Sequence, residues 1–155
     1  MINQVVEFLK ANNLSIGSVE SLTGGLFAST LTSIPGVSSI YKGSVVTYAT
    51  EIKENVVGVS KNTVNCYGVV SKECAYEMAL NGKKLLNTDI VISFTGNAGP
   101  SVMEGKEVGK VFIGLAYKDE VETYELTLSG NREEIRKECI KIGFIKIFNK
   151  ITRTF

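Results

Sequence analysis

Ser21 stands in the stretch SVESLTGGLFAS, with a carboxylate at Glu20 before it and the paired glycines Gly24 and Gly25 after it. A serine hydroxyl becomes a nucleophile only when a neighbouring group takes its proton. The 155-residue chain contains no histidine, so imidazole cannot be that group. Glu20 is an acceptor in principle, but adjacent side chains on a strand point to opposite faces. The alternative is plain helix-start chemistry, in which Ser21 or Thr23 caps a helix and the glycines allow close packing.

Three further segments hold chemistry-bearing residues. In TYATEIK, Tyr48 and Lys53 form a pair of proton carriers if burial holds the amine neutral. Their five-residue separation is not the Y-x-x-x-K spacing of short-chain dehydrogenases, and an interfacial tyrosine with a solvated lysine is the competing reading. In FTGNAGP, backbone amides between Gly96 and Gly99 can cradle a phosphate or a carboxamide, although a simple turn also explains the glycines. No G-K-[ST] follows, so this is not a Walker loop, and Gly24–Gly25 lacks the spacing of a dinucleotide fingerprint. In SGNREEIR, Arg132 opens a helix where its fork can join free amides on an anion. The neighbouring Glu133, Glu134, Lys137 and Glu138 read as a solvated face. Candidate binding residues are therefore Thr23, Gly24 and Gly25 at the first segment, Thr95, Gly96, Ala98 and Gly99 at the third, and Arg132.

The elements that must position these groups alternate early and pair late. Ile2, Val5, Val6 and Leu9 recur at helical spacing. LSIGSVE predicts a strand ending at Ser21, GGLFASTLTS a helix stopped by IPG, and GSVVTYA a second strand. TEIKENVVG is a short helix, and SKECAYEMALNGKKLLN a longer one capped by Ser71. TDIVISFTG is a continuous apolar run, the mark of a buried central strand. KVFIGLAYKDEVETYELTLSG reads as two antiparallel strands turning near Asp119–Glu120. A long amphipathic helix follows, with Asn131 as its cap and Glu134 positioned to bond back. The order implies one α/β domain over 1–155, with helices on both faces of a mixed sheet. Ligands on such sheets collect beyond the carboxyl ends of the strands, where the first three of these segments lie.

Composition narrows the function. Hydrophobic residues are 44% and charged residues 21%, so the chain can bury a core without staples. A formal net charge of +1 gives no field for nucleic acid or an anionic membrane. Nothing in MINQVVEFLK has signal-peptide character, and no stretch has the length of a membrane span, which sets a cytoplasmic expectation. Cys66, Cys74 and Cys139 are scattered without paired spacing, so reduced thiols are expected rather than a zinc site.

Taken together, VESLTGG, IPGVSSIYKGSVVTYATEIK, GVSKNTVNCYGVVSKECAYEMA, TDIVISFTGNAGP, VGKVFIGLA and SGNREEIR resemble, in order and across nearly the whole chain, the CinA C-terminal domain family. Its PncC-type members are nicotinamide mononucleotide deamidases. The resemblance implies a three-layer α/β/α fold, with a mixed, mostly parallel sheet of about five strands, a late antiparallel hairpin and a long final helix. It implies that Ser21 matches the family's nucleophile, Lys53 and Tyr48 its catalytic lysine and tyrosine, and Arg132 an arginine beside the substrate. A serine paired with a lysine is an alternative to the histidine triad. The chain departs from the family at Leu22 (usually cysteine), Asn97 (usually aliphatic), the loop SVMEGKEVG and Glu107 (usually proline).

The resulting expectation is a cofactor-free, metal-free amidohydrolase. It would form a homo-oligomer and take a small-molecule nucleotide as substrate, with neither nucleic acid nor membrane as partner. One alternative is a non-catalytic nucleotide-binding or regulatory module. Another is a structural role in DNA uptake or damage response, against which the near-neutral charge argues.

Overall fold

Residues 1–154 are described by a computed structural model. Its sheet contains β1 (Ile16–Glu20), β2 (Tyr41–Val46), β3 (Ile90–Gly96), β4 (Lys110–Tyr117) and β5 (Glu120–Thr127), in the order β2-β1-β3-β4-β5. β1 pairs in parallel with β2 and β3, and β4 pairs antiparallel with β3 and β5. Four strands thus run one way and β4 alone is reversed.

Helices α1 (Ile2–Ala11), α2 (Leu26–Thr32) and α6 (Arg132–Arg153) share one apolar layer with one face of the sheet. Phe27 of α2 stacks on Phe144 of α6 at 4.7 Å and tilts against Phe94 of β3 at 5.8 Å. Aromatic contacts of this kind contribute about 0.5–1.5 kcal/mol each beyond their buried area, and these clamp the start of α2 to the sheet. Helix α5 (Lys72–Leu86) covers the other face, burying Cys74, Ala75, Met78 and Ala79. The short helices α3 (Thr50–Asn55) and α4 (Lys61–Tyr67) lead into it. This is a three-layer α/β/α fold.

The link from β1 to β2 crosses one face through α2, and the link from β2 to β3 crosses the other through α5. The carboxyl end of β1 is therefore a topological switch point, where open α/β sheets leave a crevice. Two bonds carry the ladder past the end of β1: Ser21 N–H donates to Phe94 O at 3.0 Å, and Thr47 N–H donates to Glu20 O at 2.7 Å. They hold the Glu20–Ser21 peptide from both neighbouring chains of the sheet.

Local signals account for most element ends. Ser71 caps α5 by accepting from Cys74 N–H at 3.1 Å, and Asn131 with Glu134 forms a full capping box on α6. Lys118 and Asp119 make the two-residue turn between β4 and β5. β2 differs from expectation. It starts at Tyr41 and stops at Val46, so Tyr48 stands beyond the strand end. Helix α4 is not signalled by the sequence pattern; it has only seven residues, and its β-branched Thr63 and Val64 weaken the helical periodicity. Ser60 starts it by accepting from Thr63 N–H at 3.1 Å. The three cysteines are free, and burial pushes the Cys74 and Cys139 thiols up to about 12.

Candidate active site

The corner after β1 is built on Glu20. Its buried carboxylate accepts from Gly25 N–H at 3.2 Å, Phe27 N–H at 2.9 Å and Ala28 N–H at 3.1 Å, and from the Ser18 hydroxyl at 2.9 Å. A carboxylate at a helix N-terminus satisfies orphan donors and complements the dipole. Glu20 thus caps α2 from six residues before its first helical residue. Gly25 can begin the helix at φ +99 because it has no Cβ. From α6, Arg136 donates to Leu22 O at 2.9 Å and Thr23 O at 3.0 Å, tying the same corner down.

Lys53 comes in from α3. It is 1% exposed. Its Nζ lies 3.0 Å from Ser21 Oγ, 2.6 Å from Thr47 O and 3.2 Å from Tyr48 O. Desolvation holds its pKa below the ordinary 10.5, and the electrostatic influence of Cys74 and Glu104 acts only against that fall. The partners decide what the amine can do. The two carbonyls can only accept, so in the deprotonated form they would take its two N–H groups and leave its lone pair for the Ser21 hydroxyl proton.

A cavity of about 440 Å³ opens over this pair. Ser21, Lys53, Tyr48, Gly96, Ala98 and Arg132 all line it. Arg132 donates through Nη1 to Gly99 O at 2.6 Å and through Nη2 to the Tyr48 hydroxyl at 2.9 Å. That leaves three of its five N–H donors for a ligand. Tyr48 is 62% exposed. Its ring belongs to the cavity wall, its carbonyl to Lys53 and its hydroxyl to Arg132.

The other expected binding residues, Thr23, Gly24, Gly25, Thr95 and Gly99, do not line the cavity. Thr23 is fully buried, and Gly24 N–H is spent on Ser21 O at 3.0 Å. Gly25 N–H is spent on Glu20. The Thr95 hydroxyl donates to Val69 O at 2.6 Å, toward the α5 layer. The expectation that amides of Gly24 and Gly25 face a substrate is therefore corrected: a turn bond to Ser21 O takes the first and the Glu20 carboxylate the second. Among the described residues, the N–H groups of Leu22 and Ala98, both on the cavity wall, have no hydrogen-bond partner.

Three side chains have roles here that residue type and spacing do not signal: Glu20 as a cap, Arg136 as a tie on the corner, and Glu104 in the loop 101–109. Glu104 lines the cavity and accepts from Val69 N–H at 3.0 Å and Val70 N–H at 2.9 Å. The only available signal for it was a carboxylate beside glycine in the loop that follows the site strand. Among the described residues, no group of three or more His, Cys, Asp or Glu side chains could hold a metal ion, and no helix is long and apolar enough to cross a membrane.

A competence-damage inducible protein of Bacillus cereus is 46% identical over 149 residues, 96% of this chain but 36% of the relative. One from Halalkalibacterium halodurans is 46% identical over 154 residues, covering 99% of this chain and 37% of its own length. The chain thus spans about a third of the length of these relatives. A crystal structure of a Competence-Damaged Protein (CinA) superfamily protein from Klebsiella pneumoniae superposes with a TM-score of 0.95 at 27% identity, covering 98% of this chain and 96% of that one. A competence/damage inducible protein from Agrobacterium tumefaciens gives 0.92 at 27% identity, with 96% and 92% covered. The family model described as the CinA C-terminal domain matches residues 1–151, and the chain belongs to that family.

Proposed function

We propose that this chain is an amidohydrolase that converts nicotinamide mononucleotide to nicotinate mononucleotide and ammonia. The observation that carries the reading is the buried Lys53 amine, 3.0 Å from Ser21 Oγ, with its other two contacts filled by carbonyls. Ser21 Oγ attacks the carboxamide carbon while its proton passes to the Lys53 lone pair. The developing oxyanion takes the Leu22 and Ala98 N–H groups; donors of this kind are worth roughly 3 kcal/mol each. The Leu22 donor belongs to the residue after the nucleophile, as in hydrolase elbows. The tetrahedral intermediate expels ammonia as Lys53 returns its proton to the leaving nitrogen. Water, deprotonated in turn by Lys53, then cleaves the acyl-serine. Arg132 holds the phosphate with its remaining donors, and its bonds to Gly99 and Tyr48 keep the fork in place.

Ammonia release from nicotinamide mononucleotide tests the reading. Stoichiometric ammonia and nicotinate mononucleotide support it. Tight nucleotide binding without turnover would instead make the chain a non-catalytic nucleotide-binding module.

A further inference from the structure

Glu104 is a carboxylate inside the reaction cavity for which the hydrolytic steps have no use. Its placement is built rather than incidental. Glu104 adopts φ +54, a conformation uncommon for a residue with a side chain. Both carboxylate oxygens are anchored, one on each of the successive N–H groups of Val69 and Val70. Gly68 makes room for them: a Cβ there would sit 2.6 Å from Oε1. The side chain remains 31% exposed, and Lys106, its ion-pair partner, stands off at 4.0 Å. A carboxylate offers about four lone-pair sites, so acceptor capacity remains on the cavity side. Its charge is felt at Lys53, where it opposes the desolvation.

The cavity thus carries a fixed anion, Glu104, as well as a fixed cation, Arg132. A ligand bearing only a phosphate satisfies one of them. A ligand with a phosphate and a positive ring satisfies both. We propose that Glu104 is the counter-ion of a permanently cationic ring, making the site selective for N-substituted pyridinium carboxamides over neutral carboxamides. This rests on the amidohydrolase reading and names the charge state of its substrate.

The test compares nicotinamide mononucleotide with its 1,4-dihydro form, which keeps the ribose, phosphate and carboxamide but has a neutral ring. Affinities are measured by calorimetry on Ser21→Ala, which cannot turn over, and on Ser21→Ala/Glu104→Gln. The first should bind the cationic ligand roughly fivefold to tenfold more tightly than the neutral one, and the second should bind both nearly equally. A loop loosened by the substitution would weaken both ligands alike, so equal losses would reduce Glu104 to a structural role and overturn the proposal. Failure of Ser21→Ala to discriminate between the ligands, or to bind either, would also overturn it. Absence of ammonia release by the unmodified chain would overturn the catalytic reading alone, because charge selectivity is read from binding.

Discussion

Two lysines are buried to nearly the same degree, Lys53 at 1% and Lys150 at 4% exposure, and their surroundings give them opposite chemistry. Lys53 Nζ meets two carbonyls and a hydroxyl, with no carboxylate in contact, and desolvation lowers its pKa. Lys150 Nζ meets the carboxylates of Glu120 and Glu122, the latter at 2.7 Å, and these bonds raise its pKa against a smaller desolvation effect. Burial alone does not set the charge of a lysine; the counter-charge does. Lys150 is a cationic strut between α6 and β5. Lys53 has no carboxylate in contact to hold its proton.

The strongest way to break this contrast is by substitution. Ser21→Ala should reduce ammonia release to background. Lys53→Met should lower it at least ~100-fold, the lower range for general-base assistance. Lys150→Met should leave the rate per folded molecule unchanged. A smaller loss is expected for Tyr48→Phe, whose hydroxyl bonds to Arg132. Normal turnover by Lys53→Met together with loss in Glu20→Gln would move the base to the carboxylate.

Arg132→Ala should rank next. Loss of charge-assisted bonds to phosphate should weaken binding of the mononucleotide roughly tenfold or more. Free nicotinamide, having no phosphate, should be affected far less. Equal impairment of both substrates would contradict the phosphate role.

The smallest expected effect lies in stability, and it has opposite signs for the two lysines. For Lys53 the folded pKa is below the unfolded 10.5, so the unfolded chain binds more protons between those values and stability rises with pH across that window. For Lys150 the folded pKa is above 10.5, so its stabilisation is complete below 10.5 and is lost as pH rises through the folded value. The melting temperature of the unmodified chain should therefore gain on that of Lys53→Met as pH rises toward 10.5. Lys150→Met should cost about 1 kcal/mol below 10.5, since solvent screens its partly exposed carboxylates.

The same division separates what the sequence revealed from what it did not. The Ser71 cap, the Asn131–Glu134 capping box, the apolar run of β3 and the β4–β5 turn are local patterns, legible because each acts within a few residues. Ser21, Lys53, Tyr48 and Arg132 were legible as candidates at strand and helix ends. Their mutual distances were not, since Lys53 reaches Ser21 through the crossing of β2 beside β1. Arg136 grips Leu22 across 114 residues, and no local pattern carries such a contact. Glu20 is a subtler case. The carboxylate stands on a strand, yet it serves as the cap of the following helix, a role that residue type and strand periodicity do not signal.

The central claim is that Lys53 is a desolvated amine able to accept the Ser21 proton. Direct NMR titration of side-chain amines in lysine-labelled protein tests it, with Lys53→Met and Lys150→Met assigning the two signals. The account predicts that Lys53 titrates below 10.5 and Lys150 above it. A Lys53 that stays protonated to 10.5 or beyond would contradict the account, because a stable ammonium has no lone pair to offer Ser21.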